Sequence, residues 1–274
     1  MDNQNISMNL PTPTEETPAW FLGSVAKCIR TLQTFTVSQP EWSLTQLSRE
    51  LSISKSTMVN ILKTLETFGY IQKLPNSHYR LGIELLEMSY HIRASLPILH
   101  YAIPIMEEIQ RQSGQIVYLT IPKKGRAFYL QSVNPGNRNI SYSITGRCTP
   151  MHCSSCGKVM LSEMPENMVD LIINTWGLPR FTTTTVTDRD ALKAELQIIR
   201  ERGYALENCE EFPNVKGVAV PICSSNRLLG ALSLTGSVLG MPDENMVQFA
   251  TLLSNGANLL ASNAELFPTC DPYP

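Results

Sequence analysis

The chain has 274 residues, 43% of them hydrophobic, and a formal net charge of −2 at pH 7. That is enough apolar material for two separate cores, and the near-neutral total excludes a general polyanion binder. With no run of about 18 apolar residues, no helical membrane span is expected. The first 19 residues carry acids and prolines but no basic-then-apolar pattern. They read as a disordered tail and not as a signal peptide.

Residues 20–82 read as a winged helix-turn-helix. Ser43 is a good N-cap and Gln46 completes a capping box; Leu44, Leu47 and Leu51 then share one face at helical spacing. Ser52-Ile53-Ser54 has room only for a turn. Ser54 caps a second helix expected from Lys55 to about Phe68, ended by Gly69. Met58, Ile61, Leu62, Leu65 and Phe68 form its core stripe. The opposite face carries Ser56, Val59, Asn60, Lys63 and Thr67, with one lysine and no acid. Ser56 and Asn60 suit base edges or phosphates, Val59 a thymine methyl, and Lys63 a phosphate. Lys55 and Thr57 sit by the positive end of the helix, where phosphates also bind. Tyr70–Lys73 and His78–Leu81 read as strands around Pro75-Asn76-Ser77, a wing made positive by Lys73, His78 and Arg80. Together they predict a reader of double-stranded DNA; the competing use is a packing or protein-contact module.

Charge divides the same way. Residues 20–82 hold seven Lys/Arg against three Asp/Glu, a net +4, which leaves −6 on the rest of a chain totalling −2. A mild basic island on an acidic protein fits a local DNA footprint, with affinity raised by more than one copy of the domain.

Residues 83–95 read as a linker helix carrying Leu85, Leu86 and Met88, and its apolar face as a seam between two copies. After Pro97 a helix is expected from Ile98 to Gln112, with a kink or restart at Pro104. From Gln115 the pattern turns to strands. Ile116–Ile121 and Ala127–Val133 flank a Lys123–Arg126 turn, and Gly217–Cys223 pairs with Leu228–Thr235. Helices are expected over Ser154–Met164, Glu166–Asn174, Asp190–Arg202 and Met246–Ala261. Strand pairs mixed with helices indicate an α+β domain with an antiparallel sheet, able to cup a small ligand. It spans residues 96–264, and residues 265–274 read as a loose tail.

Seven cysteines, at 28, 148, 153, 156, 209, 223 and 270, are an odd number in a chain too large to need stapling. Reduced thiols in a cytoplasmic setting are expected. The run His152-Cys153-Ser154-Ser155-Cys156 contains a CxxC beside a histidine, which zinc binding or redox sensing through Cys153 and Cys156 could use. No second CxxC or HxxxH accompanies it, so packing or ligand-lining thiols are expected and no metal. A thiol nucleophile near His152 lacks a third partner among four histidines, and no phosphate loop is present. No enzyme activity and no cofactor are expected.

Read in order, Leu47-Ser48, Ser54-Lys55-Ser56-Thr57, Leu65 to Gly69 and Tyr79-Arg80-Leu81-Gly82 resemble the N-terminal part of the IclR family of bacterial transcription regulators. Gly146, Pro150-Met151-His152, Gly157-Lys158, Arg202 to Ala205, Val218 to Ile222 and Leu232 to Gly236 resemble its C-terminal part. The resemblance spans about Trp20 to Ala261. It implies a winged helix-turn-helix joined by a linker helix to a GAF-like effector domain. It also implies a homodimer or a dimer of dimers, a palindromic operator, and a small organic or aromatic acid that alters operator binding. Carried over, the family pocket falls on Ser155 and Cys156, whose backbone amides would receive a ligand carboxylate, and on Glu207, Gly217, Ser233 and Thr235. Here Glu207 stands where the family usually has Asp, Gly217 where many members have Cys, and Asn60 where Arg is usual. Cys209, Glu210 and Asn214 replace an acidic pair followed by Gly.

Overall fold

The computed structural model describes residues 18, 20–136, 144–225, 227–269, 271 and 273. The tail expected over residues 1–19, Pro18 apart, lies outside the described residues, as does Cys270. The chain divides into two compact units, one ending at Ser95 and the other beginning at Leu96.

The first unit runs α1 (Gly23–Gln33), β1 (Trp42–Ser43), α2 (Leu44–Glu50), α3 (Lys55–Thr67), β2 (Ile71–Lys73), β3 (His78–Leu81) and α4 (Glu84–Ala94). The capping box forms: Ser43 Oγ accepts the Gln46 N–H, and Gln46 Oε1 accepts the Ser43 N–H at 2.8 Å. Ser54 Oγ likewise accepts the Thr57 N–H at the start of α3. Gly69 ends that helix at φ +73°, and a Cβ on Gly82 would lie 1.8 Å from the Gly69 carbonyl oxygen. The wing therefore closes on two glycines, one for its backbone angle and one for its clearance. Leu47, Met58, Ile61, Leu62, Leu65, Ile71 and Tyr79 build the core.

Phe68 does not join them. It is 66% exposed, because the chain leaves helical geometry at this C-cap, where φ is −92° and ψ 6°. The apolar period outlasts the helix by one residue, so the core stripe ends at Leu65. The wing sheet also has a strand the pattern did not reveal: β1 pairs with β3, giving the order β1-β3-β2. Two residues are too few to show a period.

The second unit runs α5 (Pro97–Ser113), β4 (Ile116–Lys123), β5 (Arg126–Val133), β6 (Cys148–Pro150), α6 (Ser155–Ser162), α7 (Glu166–Trp176), α8 (Arg189–Arg202), β7 (Ala205–Asn208), β8 (Val215–Ser224), β9 (Arg227–Ser237) and α9 (Met246–Ala261). Helix α5 passes through Pro104 without the restart expected there. Pro104 is exposed, while Ile98, Leu99, Ala102, Met106 and Ile109 are buried on the core side. That face keeps the helix whole despite one lost backbone hydrogen bond.

The strands form one antiparallel sheet in the order β6-β5-β4-β9-β8-β7. Alternation sorts its two faces. Val117, Leu119, Leu232 and Leu234 pack with Met106, Ile109, Phe249 and Leu253 of α5 and α9. Tyr118, Tyr129, Ala205, Ala219 and Ala231 face the other way, packing with Met160, Leu161, Ile172, Leu192 and Ile199 of α6, α7 and α8. The C-terminal tail is not wholly loose: Phe267 is buried in the first of these layers, and the Asp271 carbonyl accepts the Lys124 N–H at 2.8 Å. None of the helices among the described residues is long and apolar enough to cross a membrane.

Candidate functional site

The candidate residues fall on two sites, one on each unit. On the first, Ser54, Lys55, Ser56, Asn60 and Lys63 are exposed along α3, and Thr57 and Val59 are half-buried. At the helix start Ser54 Oγ donates to Thr57 Oγ1 at 2.9 Å and lies 3.2 Å from Ser56 Oγ. Three hydroxyls thus cluster beside free N–H groups at the positive end of a helix with no acid in its first turn. On the wing, Lys73 and Arg80 are exposed and His78 half-buried. Asn76 Oδ1 accepts the His78 N–H at 3.0 Å, and Arg80 Nε donates to Gln72 Oε1 at 2.9 Å. The turn is thereby held, with both charged tips left in water.

On the second unit the candidate residues converge on the start of α6. Ser154 Oγ accepts the Gly157 N–H and caps the helix, and every residue of α6 is buried. Gly157 permits this seat, since a Cβ there would lie 2.3 Å from the Met151 carbonyl oxygen. Ser155 is 2%, Cys156 1%, Ser233 1% and Glu207 5% exposed. Strand register brings the rest together: Glu207 lies opposite Gly217, Gly217 opposite Thr235, and Ser233 between Ala219 and Tyr118. A Cβ on Gly217 would sit 2.8 Å from Ser155 Oγ and 3.3 Å from Glu207 Oε2. Ser155, Glu207 and Gly217 therefore share one small space between the helix start and the sheet. Thr235 is half-buried at its margin.

Several neighbours escaped the residue pattern. Tyr118 and Tyr129 stack edge to face with centroids 5.1 Å apart, and Cys156 Sγ donates to Tyr129 Oη at 3.4 Å. The Lys158 ammonium is fully buried and donates to Glu195 Oε1 at 2.6 Å and Glu210 Oε1 at 2.7 Å. The second Glu210 oxygen is buried with no hydrogen-bond partner among the described residues. Thr182 and Thr185 hydroxyls donate to the Cys209 and Glu210 carbonyls, each at 2.7 Å, and pin this turn. Alternation sets Tyr118 on the face opposite to Val117 and Leu119; the pairing that sets it beside Ser233 needs the register.

Burial sets the charge states. It pushes the Glu207 carboxyl up to about 8, helped by the charges of Glu211 and Glu210. Glu211 is pushed up to about 7 by burial, against Arg147 and Arg126. Burial also raises Glu210, opposed by Lys158. The Cys156 thiol rises to about 11, and Cys153 is pushed up still further by burial. Thiols so protonated are poor nucleophiles and poor metal ligands. His152 is held below the usual imidazole range by burial, and its Nε2 lies 3.0 Å from the Pro179 carbonyl oxygen. Among the described residues no three His, Cys, Asp or Glu side chains are placed to hold a metal ion.

Two family descriptions match. Residues 24–75 match the IclR helix-turn-helix domain and residues 91–261 the C-terminal domain of bacterial IclR transcriptional regulators. The chain is 32% identical to the HTH-type transcriptional regulator XynR of Escherichia coli over 89% of its own length and 98% of that protein. It is 26% identical to KdgR of the same organism, over 88% and 92%. Among solved structures, an IclR transcriptional regulator from Alicyclobacillus acidocaldarius superposes with a TM-score of 0.78 at 23% identity, covering 89% of this chain and all of that one. An IclR homologue from Microbacterium hydrocarbonoxydans in complex with 4-hydroxybenzoate gives 0.72 at 22% identity, covering 88% and 99%. The chain belongs to the IclR family of DNA-binding transcription regulators.

Proposed function

We propose that this regulator reads its operator with the outer face of α3 and the wing, and that a small carboxylate bound at the start of α6 alters that reading. Asn60, Ser56 and Val59 are the base-reading candidates. Lys55, Lys63, Lys73, His78 and Arg80 are the phosphate contacts, with Ser54 and Thr57 beside them. The effector's carboxylate is received by the N–H groups of Ser155 and Cys156, and Ser233 and Thr235 orient the remainder. Glu207 and Gly217 bound the space. Two DNA heads on a homodimer, or on a dimer of dimers, would meet a palindromic site. The effector acts by binding one arrangement of the chain better than another.

The observation that carries the effector reading is the convergence of Ser155 Oγ and Glu207 Oε2 over Gly217 at a buried helix start. A relative in fold holds 4-hydroxybenzoate, a small carboxylic acid. Operator binding measured with and without a panel of aromatic and sugar acids tests it. The Ser233→Ala, Thr235→Ala double variant should lose the acid response and keep operator affinity; a variant that still responds places the pocket elsewhere. Sensing by Cys153 and Cys156 is the second reading, and their raised thiols weigh against it. Operator binding that changes with zinc or reductant, and with no acid, would reverse that choice.

A further inference from the structure

We propose that Glu207 meets the effector's carboxylate as a neutral carboxylic acid and donates a hydrogen bond to it, so that each effector molecule is bound together with one proton. The inference rests on the effector site assigned above. It makes Glu207 the residue that selects for an anion.

Ser155 Oγ and Glu207 Oε2 lie within 2.8 and 3.3 Å of one point above Gly217. An anion drawn to the start of α6 therefore arrives beside a carboxyl group the protein already keeps there. Two carboxylates side by side in a water-poor space cannot both stay ionised. One proton between them turns repulsion into a charge-assisted hydrogen bond.

The alternative source of positive charge would be a protein cation, and among the described residues only Lys158 acts on Glu207, as the smallest of the causes that set its titration. Lys158, on α6, makes its ion pairs with Glu195 and Glu210 instead. From β5 and the approach to β6, Arg126 and Arg147 act on Glu211, and Arg126 donates to the Cys148 carbonyl at 3.1 Å. Beyond β7, Glu210 and Glu211 add negative charge. Tyr118 of β4, Tyr129 of β5 and the thiols of Cys153 and Cys156 are held neutral by burial. Glu207 Oε1 accepts the Glu211 N–H at 3.4 Å, a weak bond that leaves the carboxyl underserved. Its raised titration agrees with this setting.

Below the titration of Glu207 the acid is already protonated, and the effector anion binds without exchange. Above it, Glu207 must first take a proton from solvent. Affinity then falls about tenfold for each pH unit.

Isothermal titration of the full chain with benzoate and with gluconate, acids that do not titrate near neutrality, tests this from about pH 6 to about pH 9.5. Buffers of different ionisation enthalpy report the protons taken up. Wild type should show little uptake at the acid end and close to one proton at the alkaline end. Glu207→Gln carries a donor amide that needs no proton. It should lose the alkaline fall in affinity that belongs to Glu207, keeping only the dependence that Glu211 imposes, and at the alkaline end should bind at least about tenfold more tightly than wild type. Wild-type affinity that is flat with pH, or protons released instead of taken up, overturns the proposal and leaves the effector site standing. No heat with either acid at any pH, together with no acid response in operator binding, removes the site and this inference with it.

Discussion

Helices α3 and α6 begin alike. Ser54 accepts the Thr57 N–H at the head of one, and Ser154 accepts the Gly157 N–H at the head of the other. Around α3 the cap is exposed and its neighbours are polar or basic. Around α6 every residue is buried, and the nearby charges are glutamates raised by burial. On the proposed reading, the same backbone donors would serve two kinds of anion. An exposed helix start with loose hydroxyls suits a phosphate chain that slides past it. A dry helix start, closed by the sheet, would suit only a small anion that sheds its water.

The sharpest way to break this contrast is to remove the buried cation. Lys158→Met leaves Glu210 and Glu195 without their shared ammonium, and should cost about 3–5 kcal/mol in the second unit. Thermal unfolding followed separately for the two units should show that loss with the first unit unchanged. A cost below about 1 kcal/mol would mean that Lys158 adds little to the seat of α6.

Proton linkage gives a second, smaller effect. Glu207 and Glu211 carry native pKa values of about 8 and about 7 against a reference of 4.5. The folded state therefore binds more protons than the unfolded one, and its stability falls as pH rises. The penalty is absent below about pH 4.5 and complete above about pH 8. Melting temperature measured across that window should decline, and Glu207→Gln should flatten much of the decline. A melting temperature that stays flat through the same window would show that these carboxyls are solvated.

These differences were unevenly legible in the sequence. Ser43, Gln46, Ser54 and Gly69 announce the first unit because caps and turns are local chemistry, read within four residues. The hairpins of the second unit were visible from alternation. The resemblance to IclR regulators brought Ser155, Glu207, Gly217 and Ser233 into view as separate positions. Their meeting depends on the register of β7, β8 and β9, which no local pattern states. Lys158 stands in the sequence only as part of the Gly157-Lys158 string of the resemblance, and only packing shows that it is buried between two acids from α8 and the β7–β8 turn. Strands β1, β6 and β7 are two to four residues long, too short for a period to stand out. Phe68 failed for the opposite reason, since the apolar period outlasts the helix by one residue.

The exposed helix start should yield the smallest changes in stability and the largest dependence on salt. Ser54→Ala removes one cap bond in water and should lower stability by about 1 kcal/mol. Lys63→Ala should leave the melting temperature unchanged, because its side chain is exposed. Its signature lies in binding: affinity should fall alike for every DNA sequence, and the slope of log affinity against log salt should shrink by about one. Effector binding at α6 should respond far less to the same salt, since charges buried away from solvent are weakly screened. Should both equilibria shift together with ionic strength, the start of α6 would be open to water, and the two helices would differ in sequence but not in kind.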